Sequence, residues 1–338
     1  MPLVLLGYPE EGTPNDKATA GDNFVGGELL SFSTPEKFPL TVHCPTCQGP
    51  MSFILQLYCP VNDLRQHRIL YFFCCLLTKC QKSGLCWRVF RHQQMGSLFE
   101  TSVNQTSTSD WSFGGDADFS NGELWCEEDG LDPREGSAPI EDFAACEPSY
   151  ANHNFRSPFI RKFINVYEEE SASQEALEIG FSFKEWILSY QAENEFVEED
   201  DNEICNGDRL STAFEIHLAT RGDYGCEAVR YSWCGQPVFA RSPRSDWTPF
   251  FTCPHCLGKR AFEVQIFSTL NSYLLTRKCP EDTIKCEWPL DMLSVLVFTC
   301  KSACWRPSDN FYPLVEEAVL TQTEDGKSVF HAPNQTSF

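Results

Sequence analysis

The amino-acid sequence predicts a β-rich α+β fold formed by an internal duplication, with two zinc-ribbon-containing units and a disordered acidic insert between them. Three observations lead to this prediction. A cysteine-containing stretch in the first third of the chain occurs again in the last third. Apolar segments typical of strands follow each copy. The segment between the copies is rich in acids and poor in large apolar residues, a composition typical of disorder.

The repeated stretch begins with a Cys-x2-Cys pair in both copies. Aligned without a gap, the copies also share the proline after the first cysteine and the glycine that follows the second. In both copies an apolar segment farther along leads into two more cysteines. Such self-similarity predicts that one unit occurs twice. The aligned identities include Cys44 with Cys253, Cys47 with Cys256, Phe53 with Phe262, and Gln56 with Gln265.

Apolar patterning predicts short strands in both halves. Residues 53–58 alternate between apolar and mixed side chains, as expected of a strand with one buried face. Residues 69–73 are apolar throughout, which indicates a central strand. Residues 87–91, 159–167 and 228–231 have weaker strand patterns. The stretch after Cys256 repeats the pattern of residues 53–58 and predicts the corresponding strand in the second half.

The middle of the chain is strongly acidic. Residues 110–147 hold twelve Asp or Glu and one basic residue, and residues 168–203 hold thirteen Asp or Glu and one lysine. The first stretch buries too little apolar surface to offset the entropy of ordering it. Within the second, Ser182 and Glu185 form a capping-box signature that predicts a short amphipathic helix.

These features divide the chain into five segments. We predict an N-terminal repeat unit with a four-cysteine site (1–100), an acidic disordered linker (101–150), a linking strand and helix segment with an acidic run (151–230), a C-terminal repeat unit with a four-cysteine site (231–324), and a flexible tail (325–338).

Charge and hydropathy argue against several classes of protein. The formal net charge is -22, which repels nucleic acid and anionic lipid and attracts basic polypeptides. The apolar run at residues 69–77 is too short to span a bilayer, and residues 1–8 lack the basic region of a signal peptide. We therefore expect no direct nucleic-acid binding, no membrane association and a reducing compartment, in which the 18 cysteines favour metal ligation over disulfides.

Eight of the cysteines have the spacing of structural zinc sites, in which pairs two to four residues apart supply soft ligands at tetrahedral corners. Buried free thiols are the alternative. Redox chemistry is a weaker one, because no βαβ setting surrounds the pairs. His255 is a competing ligand, and Cys74 can substitute for Cys75. The predicted zinc ligands are Cys44, Cys47, Cys75 and Cys80 in one site, and Cys253, Cys256, Cys300 and Cys304 in the other.

No catalytic motif is recognisable in the sequence. It contains no glycine-rich phosphate loop, no nucleophile elbow and no metalloprotease or zinc-deaminase signature. A zinc ion held by four cysteines also has no open position for a catalytic water. We therefore expect a protein that is not an enzyme.

Ordered motifs at both ends resemble the programmed cell death protein 2 family. They include Val4 to Gly7, the double glycine at Gly26, the cysteine pair that runs into Leu55 to Pro60, and Trp87 to Arg91. In the second half they include Val229 to Trp233, Cys253 to Gln265 and Val297 to Trp305. The chain is most similar to the "-like" branch, because an acidic, tryptophan-bearing segment stands where the founding member carries a MYND finger. Glu28 to Leu30 and Cys226 depart from the family pattern.

The resemblance implies a β-rich duplicated fold and a dedicated chaperone. Such a chaperone escorts one basic small-subunit ribosomal protein, of the universal S-five class (eukaryotic S-two), to pre-40S particles and so supports 40S ribosomal subunit biogenesis. The resemblance also implies shuttling between cytoplasm and nucleus with an exportin. Acidic segments suit a basic client.

A zinc-ribbon adaptor in signalling or apoptosis is the alternative function, and a solvated linker is the alternative for the acidic segments. Exposed aromatics among the acids favour binding. The candidate partner-binding residues are Trp111, Phe113, Trp125, Glu198, Glu199, Asp200 and Asp201.

Overall fold

A computed structural model describes the strands of the protein and the loops that carry its paired cysteines. The described residues are 3–10, 17–32, 42–60, 66–95, 149–169, 214, 227–241, 251–279, 282–285, 290–304 and 314–332.

These residues form fifteen strands and little helix. The helical elements with described bounds are one α-helical turn, α1 (Thr78–Gln81), and a 3-10 segment (Ser268–Tyr273). The strands are β1 (Leu5–Glu10), β2 (Phe24–Val25), β3 (Glu28–Ser31), β4 (Ser52–Tyr58), β5 (Gln66–Cys74), β6 (Trp87–Met95), β7 (Tyr150–Arg156), β8 (Lys162–Glu168), β9 (Val229–Tyr231), β10 (Arg260–Phe267), β11 (Leu275–Cys279), β12 (Asp282–Lys285), β13 (Ser294–Cys300), β14 (Leu314–Gln322) and β15 (Ser328–His331).

Ten strands close into a single antiparallel barrel. Their order around the ring is β13-β10-β9-β1-β8-β2-β4-β5-β6-β14, and β14 pairs again with β13. β14 closes the ring because its first residues, Leu314 to Glu317, pair with β6, whereas Ala318 to Gln322 pair with β13. β15 adds to β14 as an eleventh strand. Closure leaves none of the ten strands without a partner on either side.

Side chains of β5 alternate between the outside and the inside of the barrel. Tyr71 faces outward and donates from Oη to the carbonyl of Leu30 on β3, and Phe73 packs edge-to-face on Phe155 of β7. β3 and β7 pair with each other and cover this outer surface. The intervening residues, including Arg68, face the interior. Both faces of β5 are therefore buried, which explains its continuous apolar sequence.

The glutamine shared by the two repeated stretches has a similar role in each. Gln56 on β4 accepts from the amide of Leu30 through Oε1 and donates through Nε2 to the carbonyl of Ala20. Gln265 on β10 accepts from the amide of Val238 and donates to the carbonyl of the same residue. Each buried glutamine thus attaches an extended outer segment to the barrel, and each is satisfied by backbone groups.

The predicted fold class was wrong. The structure is mostly β rather than α+β, and it contains no pair of zinc-ribbon units; one closed barrel takes strands from both halves of the chain. Similarity between two short stretches reveals shared local geometry, whereas closure depends on pairings such as β6 with β14 and β1 with β9, which local patterns do not specify.

Most predicted strands are confirmed. Residues 53–58, 69–73, 87–91 and 228–231 fall on β4, β5, β6 and β9. The predicted strand at 159–167 begins later, at Lys162, because Phe159 forms only an isolated bridge with Thr276.

Several predictions concern residues outside those described. They are the disorder of nearly all of 101–150, the helix beginning at Ser182, and the last residues of the predicted tail. No helix among the described residues is long and apolar enough to cross a membrane.

Candidate metal centres

The first cysteine loop folds back on itself before β4. The amide of Gln48 donates to the carbonyl of Cys44 (2.9 Å), and the amide of Cys44 donates to the carbonyl of Gly49 (2.9 Å). Gln48 adopts the left-handed conformation, with φ 60°. The amide of Gly49 then points at Cys47 Sγ, 3.4 Å away. The turn therefore presents Cys44 and Cys47 on the same side.

The second cysteine loop, before β10, has the same geometry. The amide of Leu257 donates to the carbonyl of Cys253 (2.9 Å), and the amide of Cys253 donates to the carbonyl of Gly258 (2.8 Å). Leu257 has φ 60°, like Gln48. The amide of Gly258 lies 3.4 Å from Cys256 Sγ.

The structure brings the eight cysteines together in two groups of four. One group comprises Cys44, Cys47, Cys75 and Cys80, and the other comprises Cys253, Cys256, Cys300 and Cys304; within each group, all Sγ atoms lie within 4.8 Å of one another. Neither Cys74 nor His255 belongs to a group. Cys74 is buried and directs its thiol to the carbonyl of Cys75 (3.6 Å).

The distances fit a four-coordinate metal. Cys47 and Cys75 Sγ are 3.7 Å apart, and in the second group the Cys253–Cys304 and Cys256–Cys300 distances are both 3.5 Å. A tetrahedral ion with metal–sulfur bonds near 2.3 Å needs sulfurs about 3.8 Å apart. Both clusters can therefore hold a metal ion after a small adjustment, and all four corners would be filled by protein.

One thiol of each cluster is poised to ionise. The backbone hydrogen bond from Gly49 lowers the pKa of Cys47 to about 7. Hydrogen bonds from Cys300 and Cys304 lower the pKa of Cys253 well below that of a free thiol, whereas the shared bond raises the pKa of Cys300 to about 11. The thiolate is the form that ligates metals, so these hydrogen bonds favour the ligating form of Cys47 and of Cys253.

The clusters differ in exposure. Cys44, Cys75 and Cys80 are buried, with Cys47 half-buried. In the second cluster Cys256 is exposed, and the neighbouring Leu257 is 70% exposed. The second cluster is therefore more accessible to solvent.

The two clusters lie at opposite ends of the barrel. Each cysteine loop immediately precedes its strand, β4 or β10. The path between these strands passes through β2, β8, β1 and β9, and every step is antiparallel. β10 therefore runs opposite to β4, and the loops before them lie at opposite rims.

The seam between β6 and β14 contacts the backbone at or beside both cysteine clusters. Arg88 forms a two-pronged ion pair with Glu316 (2.6 and 2.7 Å) and donates its remaining Nη1 to the carbonyl of His43 (3.1 Å), next to Cys44. Arg91 pairs through Nε with Glu317 (2.6 Å) and donates through Nη2 to the carbonyl of Cys304 (3.1 Å).

Another ion pair, between Arg68 and Glu263, lies inside the barrel. Arg68 forms a two-pronged pair with Glu263, which also accepts from Thr299 Oγ1. Arg260 contributes a further contact, because its Nε is 3.7 Å from Glu317. These side chains are almost completely buried. Sequence analysis missed them; the available signal was charge within otherwise apolar strands, which is tolerated only when the charges are paired.

The net negative charge of the chain belongs to residues outside the described ranges. The described residues hold 18 Lys or Arg and 13 Asp or Glu, a formal net charge of +5. The other residues hold 8 Lys or Arg and 35 Asp or Glu, a net charge of -27. The candidate partner-binding residues Trp111, Phe113, Trp125, Glu198, Glu199, Asp200 and Asp201 all lie in that second part.

Comparison with known proteins identifies relatives along almost the whole chain. The family model "Programmed cell death protein 2, N-terminal domain" matches residues 4–99, and "Programmed cell death protein 2, C-terminal putative domain" matches residues 212–323. Programmed cell death protein 2-like of Homo sapiens is 24% identical over 97% of this chain and 98% of its own length. The Mus musculus protein of that name is 25% identical over 95% and 97%, respectively. No solved structure matches significantly. The two domain matches, in order and flanking the acidic middle, show that the chain belongs to the programmed cell death protein 2-like family.

Proposed function

We propose that this protein is a non-enzymatic chaperone that escorts a basic ribosomal protein of the small subunit, of the universal S-five class (eukaryotic S-two). In this role it supports 40S subunit biogenesis and moves between cytoplasm and nucleus with an exportin. The observation that carries the proposal is the division of charge between the described residues, which sum to +5, and the other residues, which sum to -27. The resemblance to the family supplies the identity of the client.

The charge division favours binding of the client by the acidic segments rather than by the barrel surface. Ribosomal proteins are strongly basic and bind stray RNA until they are assembled. Carboxylates on long segments attract such a client from a distance and neutralise it. The aromatic side chains of Trp111, Phe113 and Trp125 add apolar contact area among these charges. The barrel then serves as the folded body from which the segments extend.

We further propose that both cysteine clusters hold zinc, in a structural role. Four thiols at tetrahedral distances suit zinc, which bridges segments far apart in sequence without redox chemistry. In the first cluster zinc would join the loop at Cys44 to α1, and in the second it would join the loop at Cys253 to the end of β13. The ions would stabilise the two rims, and no catalytic step is assigned to them.

The test is affinity capture of the newly synthesised full-length protein, followed by identification of its partners. We expect one small-subunit ribosomal protein at near-equal stoichiometry, with binding that weakens as salt rises. Replacing Glu198, Glu199, Asp200 and Asp201 by amides should reduce capture. A control variant, Glu324→Gln/Asp325→Asn, alters acids of the described loop after β14 and should not.

Other results would reject the chaperone. Many unrelated partners, or signalling proteins without a ribosomal protein, would favour the adaptor. Turnover of a substrate by the purified protein would refute the non-enzymatic role.

A further inference from the structure

A pocket of about 420 Å³ opens beside the double glycine. Its walls are the segment at Gly27 and Glu28, and the loop between β7 and β8. Two arginines of that loop region, Arg156 and Arg161, line it together with Phe159. None of the cluster cysteines, and none of the residues in the ion pairs described above, lines this pocket. It is therefore separate from the candidate metal centres.

The glycines set the shape of this pocket. Gly26 and Gly27 have φ of 68° and 72°, a conformation that other residues rarely adopt. A Cβ at Gly26 would lie 2.3 Å from the carbonyl oxygen of Ile160, and a Cβ at Gly27 would lie 2.6 Å from Nε of Arg161. The missing side chains therefore allow the two walls to approach and leave room for the guanidinium of Arg161.

Two contacts hold the side chain of Arg161 in place, and one of its N–H groups has no acceptor among the described residues. Its Nη2 donates to the carbonyl of Glu28 (3.1 Å), and its guanidinium stacks over the ring of Phe24 at 4.7 Å. Its Nε is buried and has no acceptor among the described residues. Burial lowers the pKa of Arg161, although the charges of Glu28 and Asp22 oppose this shift; a bound anion can replace the solvation that a buried cation loses.

The pocket has an excess of positive charge. Glu28 is the one carboxylate among the described residues that line it, and it is engaged by His153 (3.2 Å) and, at 3.9 Å, by Arg156. The side chain of Arg156 is 64% exposed, so it can turn toward a ligand. A planar guanidinium fork binds carboxylates and phosphates through two parallel hydrogen bonds. Glu28 in the wall disfavours a dianion such as phosphate.

We propose that this pocket binds carboxylate side chains of an acidic peptide, with Arg161 as the fixed partner and Arg156 as the mobile one. The net charge of +5 on the described residues favours the same class of ligand. We assign residues 110–147 of this chain, which hold twelve Asp or Glu, as the source of such a peptide, and a separate acidic polypeptide is the alternative that the test distinguishes. The chemistry is the same for both.

The experiment measures binding of a fluorescent peptide with the sequence of residues 123–132, with Cys126 replaced by serine, to the full-length protein. The control peptide has its acids replaced by amides. We expect Arg156→Gln to weaken binding of the acidic peptide by about tenfold, because one charge-assisted hydrogen bond is lost. Arg161→Lys, which keeps the charge but not the fork, should weaken it similarly. Lys17→Gln removes the same charge from an exposed position away from the pocket and should change binding less than twofold.

A second arm distinguishes the sources. It uses a full-length variant in which the twelve acids of residues 110–147 are replaced by amides. If the chain's own segment occupies the pocket, this variant should bind the peptide at least fivefold more tightly than the native protein, because the competitor is removed. Equal affinities would assign the pocket to a separate polypeptide.

Binding of the control peptide as tightly as the acidic one would overturn the proposal. So would equal effects of Arg156→Gln and Lys17→Gln. Arg156 is exposed, so its substitution is not expected to disturb folding. The pocket proposal does not depend on the chaperone function, because the peptide binding is measured in the absence of a basic client and the two proposals can therefore fail separately.

Discussion

At the scale of single residues, the eight cysteines could be predicted and the buried charges could not. Cysteine pairs two to four residues apart indicate a metal site from sequence alone. Arg68 and Glu263 lie 195 positions apart in sequence, and nothing local to either residue identifies the other as its partner. Each charge is tolerated in the barrel interior only because a non-local strand pairing supplies the opposite one.

Breaking the buried ion pair between Arg91 and Glu317 should destabilise the protein strongly. Glu317 faces Arg91 and Arg260, and all three are buried. Glu317→Gln leaves these arginines without their carboxylate and is expected to lower the free energy of unfolding by about 3 to 5 kcal/mol, as measured by urea denaturation. Glu324→Gln, on the exposed loop after β14, is the matched control and should have little effect. A loss below about 1 kcal/mol for Glu317→Gln would mean that the pair contributes little net stability.

The ion pair between Arg88 and Glu316 should make the free energy of unfolding depend on pH in the acid range. Burial alone would raise the pKa of Glu316, but hydrogen bonds and charges of Arg88 and His331 outweigh it and lower the pKa to about 2. Because the folded pKa lies below the ordinary value, this contribution is present above about pH 4.5 and is lost as the pH falls toward 2. Glu316→Gln should therefore destabilise the protein at pH 7 and lose this difference between pH 4.5 and 2, as measured by the unfolding free energies of both proteins. A difference that stays constant with pH would contradict this assignment.

At the scale of elements, most strands and both cysteine loops could be read from the sequence. Alternation and apolar runs placed β4, β5 and β6 correctly, because each buries at least one full face. The start of β8 was misplaced, because Phe159 is buried in a bridge rather than in a strand. The left-handed residue of each loop gives no sequence signal here, since glutamine and leucine stand at positions where glycine is usual.

The second cysteine loop should be stabilised by a glycine. Leu257 has φ 60° and is 70% exposed, so it is strained and buries little apolar surface. Leu257→Gly should raise the free energy of unfolding by about 0.5 to 1 kcal/mol. Leu77→Gly is the control, because Leu77 is also exposed (51%) but has an ordinary φ of -72°; it should be neutral or destabilising. Destabilisation of similar size in both variants would show that the left-handed turn carries no strain.

The seam between β6 and β14 should weaken when metal is removed. Arg88 and Arg91 each connect an ion pair across the seam to a backbone carbonyl, that of His43 beside the first cluster and that of Cys304 in the second. We expect a chelator to increase hydrogen exchange of the amides of Val89 to His92 more than that of the amides at the centre of β8, which pairs with β1 and β2. If complete metal removal changed the hydrogen exchange of β6 and β8 equally, the clusters would not stabilise the seam.

At the scale of the whole molecule, closure of the barrel was not predictable. The repeated stretches predicted two units, yet the ring is completed by β14, which pairs with β6 of the first half and with β13 of the second. Pairings between distant strands are set by the total core and not by local pattern. The net charge of -22 was equally uninformative about the described residues, which sum to +5.

We propose that two metal ions close the opposite rims of one barrel. Metal analysis of the purified full-length protein tests this proposal most directly. We predict about two zinc ions per native chain, about one in Cys44→Ser, about one in Cys253→Ser, and none in the double variant. The double variant should also unfold at a lower urea concentration than either single variant. A native protein without zinc, or a zinc content that neither substitution changes, would contradict the account.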